Sequence, residues 1–192
     1  MKSFIDILDS DNSLLKEEVQ QFKNNIQIKN VTKGQILQSK GEISDKSYFV
    51  KSGLLRSYFI DENFKEHIFM FGPEGWIISD FVSQTDKTPS EMIIEAIEDS
   101  EVEILNNEVY DNLISRSQHF RSSDIEKLNK RIAVLQKRVI LLMSATAWVR
   151  YQHFLNTYPD ILQRVPQKMI ASYLGITPEA LSNLRSHMSK KK

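Results

Sequence analysis

The sequence predicts an α+β chain: an N-terminal antiparallel β-roll, a long dimerisation helix and a C-terminal helix-turn-helix. Three observations predict it. Short β-type runs recur between residues 34 and 105, a 3-4 apolar seam starts at Ile125, and residues 167–188 read as two short helices joined by a tight turn. The expected boundaries are 1–115 for the roll with a helical prelude, 116–143 for the long helix and 144–192 for the helix-turn-helix domain.

A short helix is expected near residues 14–22. From Val31 the pattern changes to GQILQ (34–38), SYFVKSG (47–53), LLRSYFI (54–60), HIFMFG (67–72), MIIEAI (92–97) and VEIL (102–105). Polar turns punctuate these runs, including Gly72-Pro73-Glu74-Gly75. Many short strands with such turns suggest a sandwich or barrel over residues 25–107, with Trp76 to Val82 as a short helical interruption. Ser123-Asp124-Ile125-Glu126 has the form of a capping box and marks the expected start of the long helix. Ile125, Leu128, Ile132, Leu135, Val139 and Leu142 then follow as a heptad seam. A stripe this narrow suits a parallel dimer; a single helix packed on its own domain is the alternative. A hinge at Met143-Ser144 and a helix over residues 145–156 lead toward the last motif.

In QKMIASYLGITPEALSNLRSHM, Ala171 lets two helices cross closely and Gly175 supplies a turn with positive φ. Thr177 is an N-cap, Pro178 takes the first helical position and Glu179 lies in the electropositive first turn. Leu181 and Leu184 face inward, which frees Glu179, Ser182, Asn183, Arg185 and Ser186 to reach outward. A helix presented this way can enter a DNA major groove. Glu179 could accept from cytosine N4, and Asn183 suits adenine. Lys168, Arg185 and the Lys190–Lys192 tail suit phosphates, as do Gln167 and Thr177 through uncharged donors.

Charge agrees with that division. The chain has 25 basic and 25 acidic residues, yet residues 1–115 carry −10 while 116–143 and 144–192 carry +5 each. A polyanion-binding C-terminal module behind a non-binding front module has this balance. There are no cysteines, and the four His stand apart at 67, 119, 153 and 187. Neither a thiolate-held metal nor a cupin-type ligand cluster is expected. No nucleophile elbow or phosphate-cradling glycine loop occurs, so no enzyme activity and no resident cofactor are expected. Neither a signal peptide nor a membrane span is read, and a cytoplasmic location is expected.

The order of modules resembles the CRP/FNR family of bacterial transcription regulators over nearly the whole chain. KGQILQSKGEISDKSYFVKSGLLRSYFI is similar to that family's opening strands, AIEDSEVEIL to the last strands of its roll, and VPQKMIASYLGITPEALSNLR to its recognition motif. The resemblance implies a cyclic-nucleotide-binding-like jelly roll, a winged-helix DNA-binding domain and a homodimer reading palindromic double-stranded DNA. Control would come as a shift of the roll against the long helix. RNA polymerase and an unidentified small-molecule effector are further partners the resemblance admits. Family members that bind cyclic AMP carry a Gly-Glu pair and a following Arg; here Ser79 and Asp80 stand at the pair, and Pro89-Ser90-Glu91 falls where the Arg belongs. Ser79, Asp80 and Glu91 therefore mark a degenerate effector pocket, and useful affinity for cyclic AMP is not expected. Two alternatives stay open: a small-ligand sensor with a rearranged pocket, and a protein-binding adaptor that kept the fold.

Overall fold

The computed structural model describes residues 3–9, 15–116 and 118–189. In chain order the elements are α1 (Phe4–Leu8), α2 (Lys16–Asn25), β1 (Gln27–Val31), β2 (Ile36–Gln38), β3 (Lys46–Ser52), β4 (Leu55–Ile60), β5 (Glu66–Gly72), β6 (Ile77–Ile78) and α3 (Phe81–Asp86). Then come β7 (Ile93–Ala96), β8 (Ser100–Asn106), α4 (Asn107–Arg116), α5 (Gln118–Ser144), α6 (Ala147–Thr157), α7 (Gln167–Leu174) and α8 (Pro178–Ser189). They divide into two units. One comprises Met1–Ile60 with Phe69–Leu128, the other Asp61–Ile68 with Asn129–Lys192.

The first unit holds two antiparallel sheets, ordered β1-β8-β3-β6 and β2-β7-β4-β5. Side-chain alternation along β3 explains its layers. Tyr48 and Val50 turn into the roll, where they pack with Val31, Leu55, Ile78, Ile94, Ala96 and Val102. Phe49, between them, turns the other way and joins Leu105 beneath Phe4, Ile5 and Phe22 from α1 and α2. The carboxylate of buried Glu103 accepts the Phe4 amide at 2.8 Å, and burial pushes its pKa up. Between β3 and β4, Gly53 has φ 89°, and a Cβ there would overlap the Ser100 hydroxyl.

The second unit is mainly helical. Thr146 caps α6 by accepting the Val149 amide, and Arg150 donates to the Ala145 carbonyl at 3.1 Å, bracing the α5–α6 corner. Phe154, Tyr158 and Tyr173 form an aromatic cluster with ring centres 5.2–5.7 Å apart. Ile161, Val165, Ile170, Leu174 and Leu181 are buried in the same unit.

Several expectations need correction. QIKNV forms an additional strand, β1; only Val31 of it is buried, so its sequence lacks a strong apolar alternation. Trp76 to Val82 is not a helical interruption: Ile77–Ile78 pair with β3, and α3 begins only after Asp80, whose side chain caps it. The long helix does not begin at Ser123, because α5 already runs from Gln118. Ser122 donates back to the Gln118 carbonyl at 3.0 Å, a bond that accommodates a serine inside a helix. Between α6 and α7 the chain makes a single 3-10 turn at Ile161–Gln163. No helix among the described residues is long and apolar enough to cross a membrane.

Candidate functional site

Local sequence builds the turn between α7 and α8. Gly175 takes φ 65°, the Ile176 amide donates to the Ala171 carbonyl and the Gly175 amide to that of Ser172, a Schellman closure of α7. Thr177 Oγ1 then accepts the Ala180 amide at 3.2 Å and starts α8. Leu181 is fully buried and Leu184 half-buried, which turns the other face of α8 to solvent. Glu179, Ser182, Asn183 and Ser186 are all exposed there. Their spacing of 3, 4 and 7 from the first places them on one stripe. Gln167, Lys168 and Thr177 are exposed as well, and Arg185 is half-buried. The Lys190–Lys192 tail lies outside the described residues.

The backbone amide at Glu179 and the Thr177 hydroxyl hold the Glu179 carboxyl below its ordinary pKa. Glu179 is the charged member of the stripe. Ser182, Asn183 and Ser186 are left as the outward polar groups of the stripe, and none of them carries charge.

Along α5, about 40 Å long, the seam residues Ile125, Leu128, Ile132, Leu135, Val139 and Leu142 are between 40% and 54% exposed. Among the described residues this run of aliphatic side chains at heptad spacing stays about half exposed.

The pocket residues part company. Asp80 is buried, and both its oxygens are occupied: Oδ1 accepts the Ser83 amide at 3.2 Å, and Oδ2 accepts the Ser90 hydroxyl at 2.6 Å. Gln38 donates to Ser90 at 2.9 Å and accepts from Ser44 at 2.8 Å, extending the network into β2. Ser79 is buried beside it, its hydroxyl without a partner among the described residues. Glu91 does not join them. Neighbouring side chains alternate, so Ser90 turns in while Glu91 turns out and pairs with Lys40 at 2.7 Å. The site has a buried carboxylate answered by a hydroxyl, with no guanidinium at the Arg position, and it does not fit a cyclic phosphate. Among the described residues no three His, Asp or Glu side chains converge to hold a metal ion.

Residues 28–117 match the family model described as the cyclic nucleotide-binding domain. The chain is 25% identical over 191 residues to the anaerobic regulatory protein of Haemophilus influenzae, an overlap of 93% of this chain and 73% of that protein. It is 28% identical over 173 residues to the fumarate and nitrate reduction regulatory protein of Vibrio cholerae, covering 84% and 68%. Its fold is similar to that of FixK2 from Bradyrhizobium japonicum, with a TM-score of 0.73, 18% identity and 86% and 85% coverage. These similarities support a CRP/FNR family regulator. Sequence reasoning missed a further feature, the β4–β5 tip at Asp61–Ile68, which is part of the second unit. No local sequence signal marks it, because its partners Arg138 and Ser172 are remote in the chain.

Proposed function

We propose that this CRP/FNR regulator binds double-stranded DNA as a homodimer, reads palindromic sites with α8, and does so without cyclic AMP. The observation that carries the DNA reading is the exposed stripe Glu179, Ser182, Asn183, Ser186 on a helix whose opposite face is buried through Leu181. A single short helix gives few base contacts, so two copies about one DNA turn apart, roughly 34 Å, are needed for a specific site. The half-exposed seam on α5 supports the pairing that supplies the second copy. Lys168 and Arg185 take phosphate-facing roles, while Ser182 and Asn183 carry the base reading, with Asn183 favouring adenine. Duplex binding should weaken steeply as salt rises, because phosphate contacts release counterions. A folded dimer that fails to retain any duplex at low salt would remove the DNA reading.

Independence from cyclic AMP rests on the Ser90–Asp80 hydrogen bond, which occupies the carboxylate and stands where a phosphate would need its guanidinium. Calorimetry should show no cyclic AMP binding at micromolar concentrations; a micromolar or tighter isotherm would sink this part. One observation favours a second reading, a small-ligand sensor. The hydroxyls of Ser57 and Ser79 are buried without partners among the described residues, and a ligand offering hydrogen bonds could satisfy them. A thermal-shift screen in which a hit loses its effect in Ser57→Ala and Ser79→Ala would establish that reading.

A further inference from the structure

β5 is the outer strand of its sheet, so one row of its backbone polar groups faces no further strand among the described residues. Between Glu66 and Ile68, side chains from helices complete that row. The Ser172 hydroxyl on α7 accepts the Ile68 amide at 3.0 Å and donates to the Glu66 carbonyl at 3.0 Å. The carbonyl of one strand residue and the amide two residues later face the same edge, so a single hydroxyl spans both as a paired strand would. Arg138 on α5 donates through Nη2 to the Ile68 carbonyl at 3.1 Å, and its guanidinium lies 4.1 Å from the centre of the Tyr173 ring. Ile68 itself is buried.

The turn that precedes these contacts is also fixed. Asp61 Oδ1 accepts the amides of Asn63 and Lys65 at 2.9 and 3.0 Å, and Oδ2 meets His67 Nε2 at 2.7 Å. Phe64 is held at φ 59°, a conformation that costs a bulky side chain energy and persists only where its surroundings enforce it. The tip is thus a braced turn, held at its end by α5 and α7. Chain connectivity gives it meaning. The backbone enters the second unit after Ile60, leaves it after Ile68 and returns after Leu128. Two of those three crossings belong to β4 and β5 of the roll.

We propose that Ser172 and Arg138 are positioning residues for DNA binding. They clamp the first helix of the helix-turn-helix to the β4–β5 tip, so a displacement of those strands reaches α7 directly. The long helix is then one of two routes from roll to recognition helix, and the tip is the other. This regulation rests on the DNA-binding reading of α8, and the test keeps the two apart.

The experiment compares full-length wild type, Ser172→Ala, Ser172→Thr and Arg138→Gln. It follows amide exchange at Ile68 and affinity for a duplex selected with wild type, beside a scrambled duplex of equal length. Ser172→Ala should speed Ile68 exchange at least tenfold while amides of β3 and β8 keep their protection. It should weaken the selected duplex at least fivefold and leave the scrambled one unchanged. Ser172→Thr, which keeps the hydroxyl, should restore both, and Arg138→Gln should give the same pattern even if Ser172→Ala folds poorly. Unchanged Ile68 exchange overturns the clamp. Faster exchange with unchanged or tighter binding of the selected duplex overturns the positioning role. If wild type selects no duplex, the DNA reading fails, while the exchange measurement still decides whether the clamp exists.

Discussion

Two helical regions of this chain carry apolar residues at similar spacing and use them in opposite ways. In α7 and α8, Ile170, Leu174 and Leu181 are at most 1% exposed. In α5, every member of the seam from Ile125 to Leu142 keeps 40% or more of its surface. The first stripe completes a fold and leaves a polar face exposed. The second stays open along the helix, a run of half-exposed aliphatic side chains that a second copy would bury under the proposed pairing. Periodicity alone tells that a helix is amphipathic; burial tells whether its partner lies inside the molecule.

The largest effect should come from charging the open stripe. Leu135→Lys places an ammonium in the middle of the seam and should convert a dimer to a folded monomer in sedimentation, with site-specific DNA binding lost. A dimer that still binds its site normally would show that the seam is not the interface. Next comes Leu181→Ala, which empties a buried position between α7 and α8 and should cost about 2–5 kcal/mol in denaturant unfolding. Its dimerisation should be unaffected. If Leu135→Ala cost the isolated monomer a similar amount, the contrast between the two stripes would collapse. The smallest effect belongs to Thr177→Ala, which removes the acceptor for the Ala180 amide and should cost roughly 1 kcal/mol by the same measurement.

The helix-turn-helix was legible because its instructions are local. Gly175, Thr177 and Pro178 each act on their own backbone or on an amide three residues away. Strands β2, β3, β4, β5, β7 and β8 were legible for a similar reason, since alternation acts over a few residues. What escaped were features decided by distant groups. β6 is two residues long and exists through its pairing with Tyr48 and Phe49. The apparent capping box at Ser123 was overridden because the residues before it continue the helix. Glu91 reads as a pocket residue by position, yet the side of the chain it faces depends on the backbone at Pro89, which is bridged to Ile43, and it turns out to Lys40. The tip at Asp61–Ile68 was invisible because its partners, Arg138 and Ser172, lie roughly 70 and 105 positions away in sequence. The Asp80–Ser90 bond was half visible: sequence reported that an Arg was missing, and only geometry reported that a serine had taken up the carboxylate.

The most direct test of the account is in vitro selection from random duplexes with purified protein at near-physiological salt and no added ligand. The account predicts enrichment of a two-fold symmetric motif with half-sites about one DNA turn apart and A·T favoured at the step read by Asn183. A folded dimer that enriches no motif would contradict the claim that this regulator reads DNA unliganded.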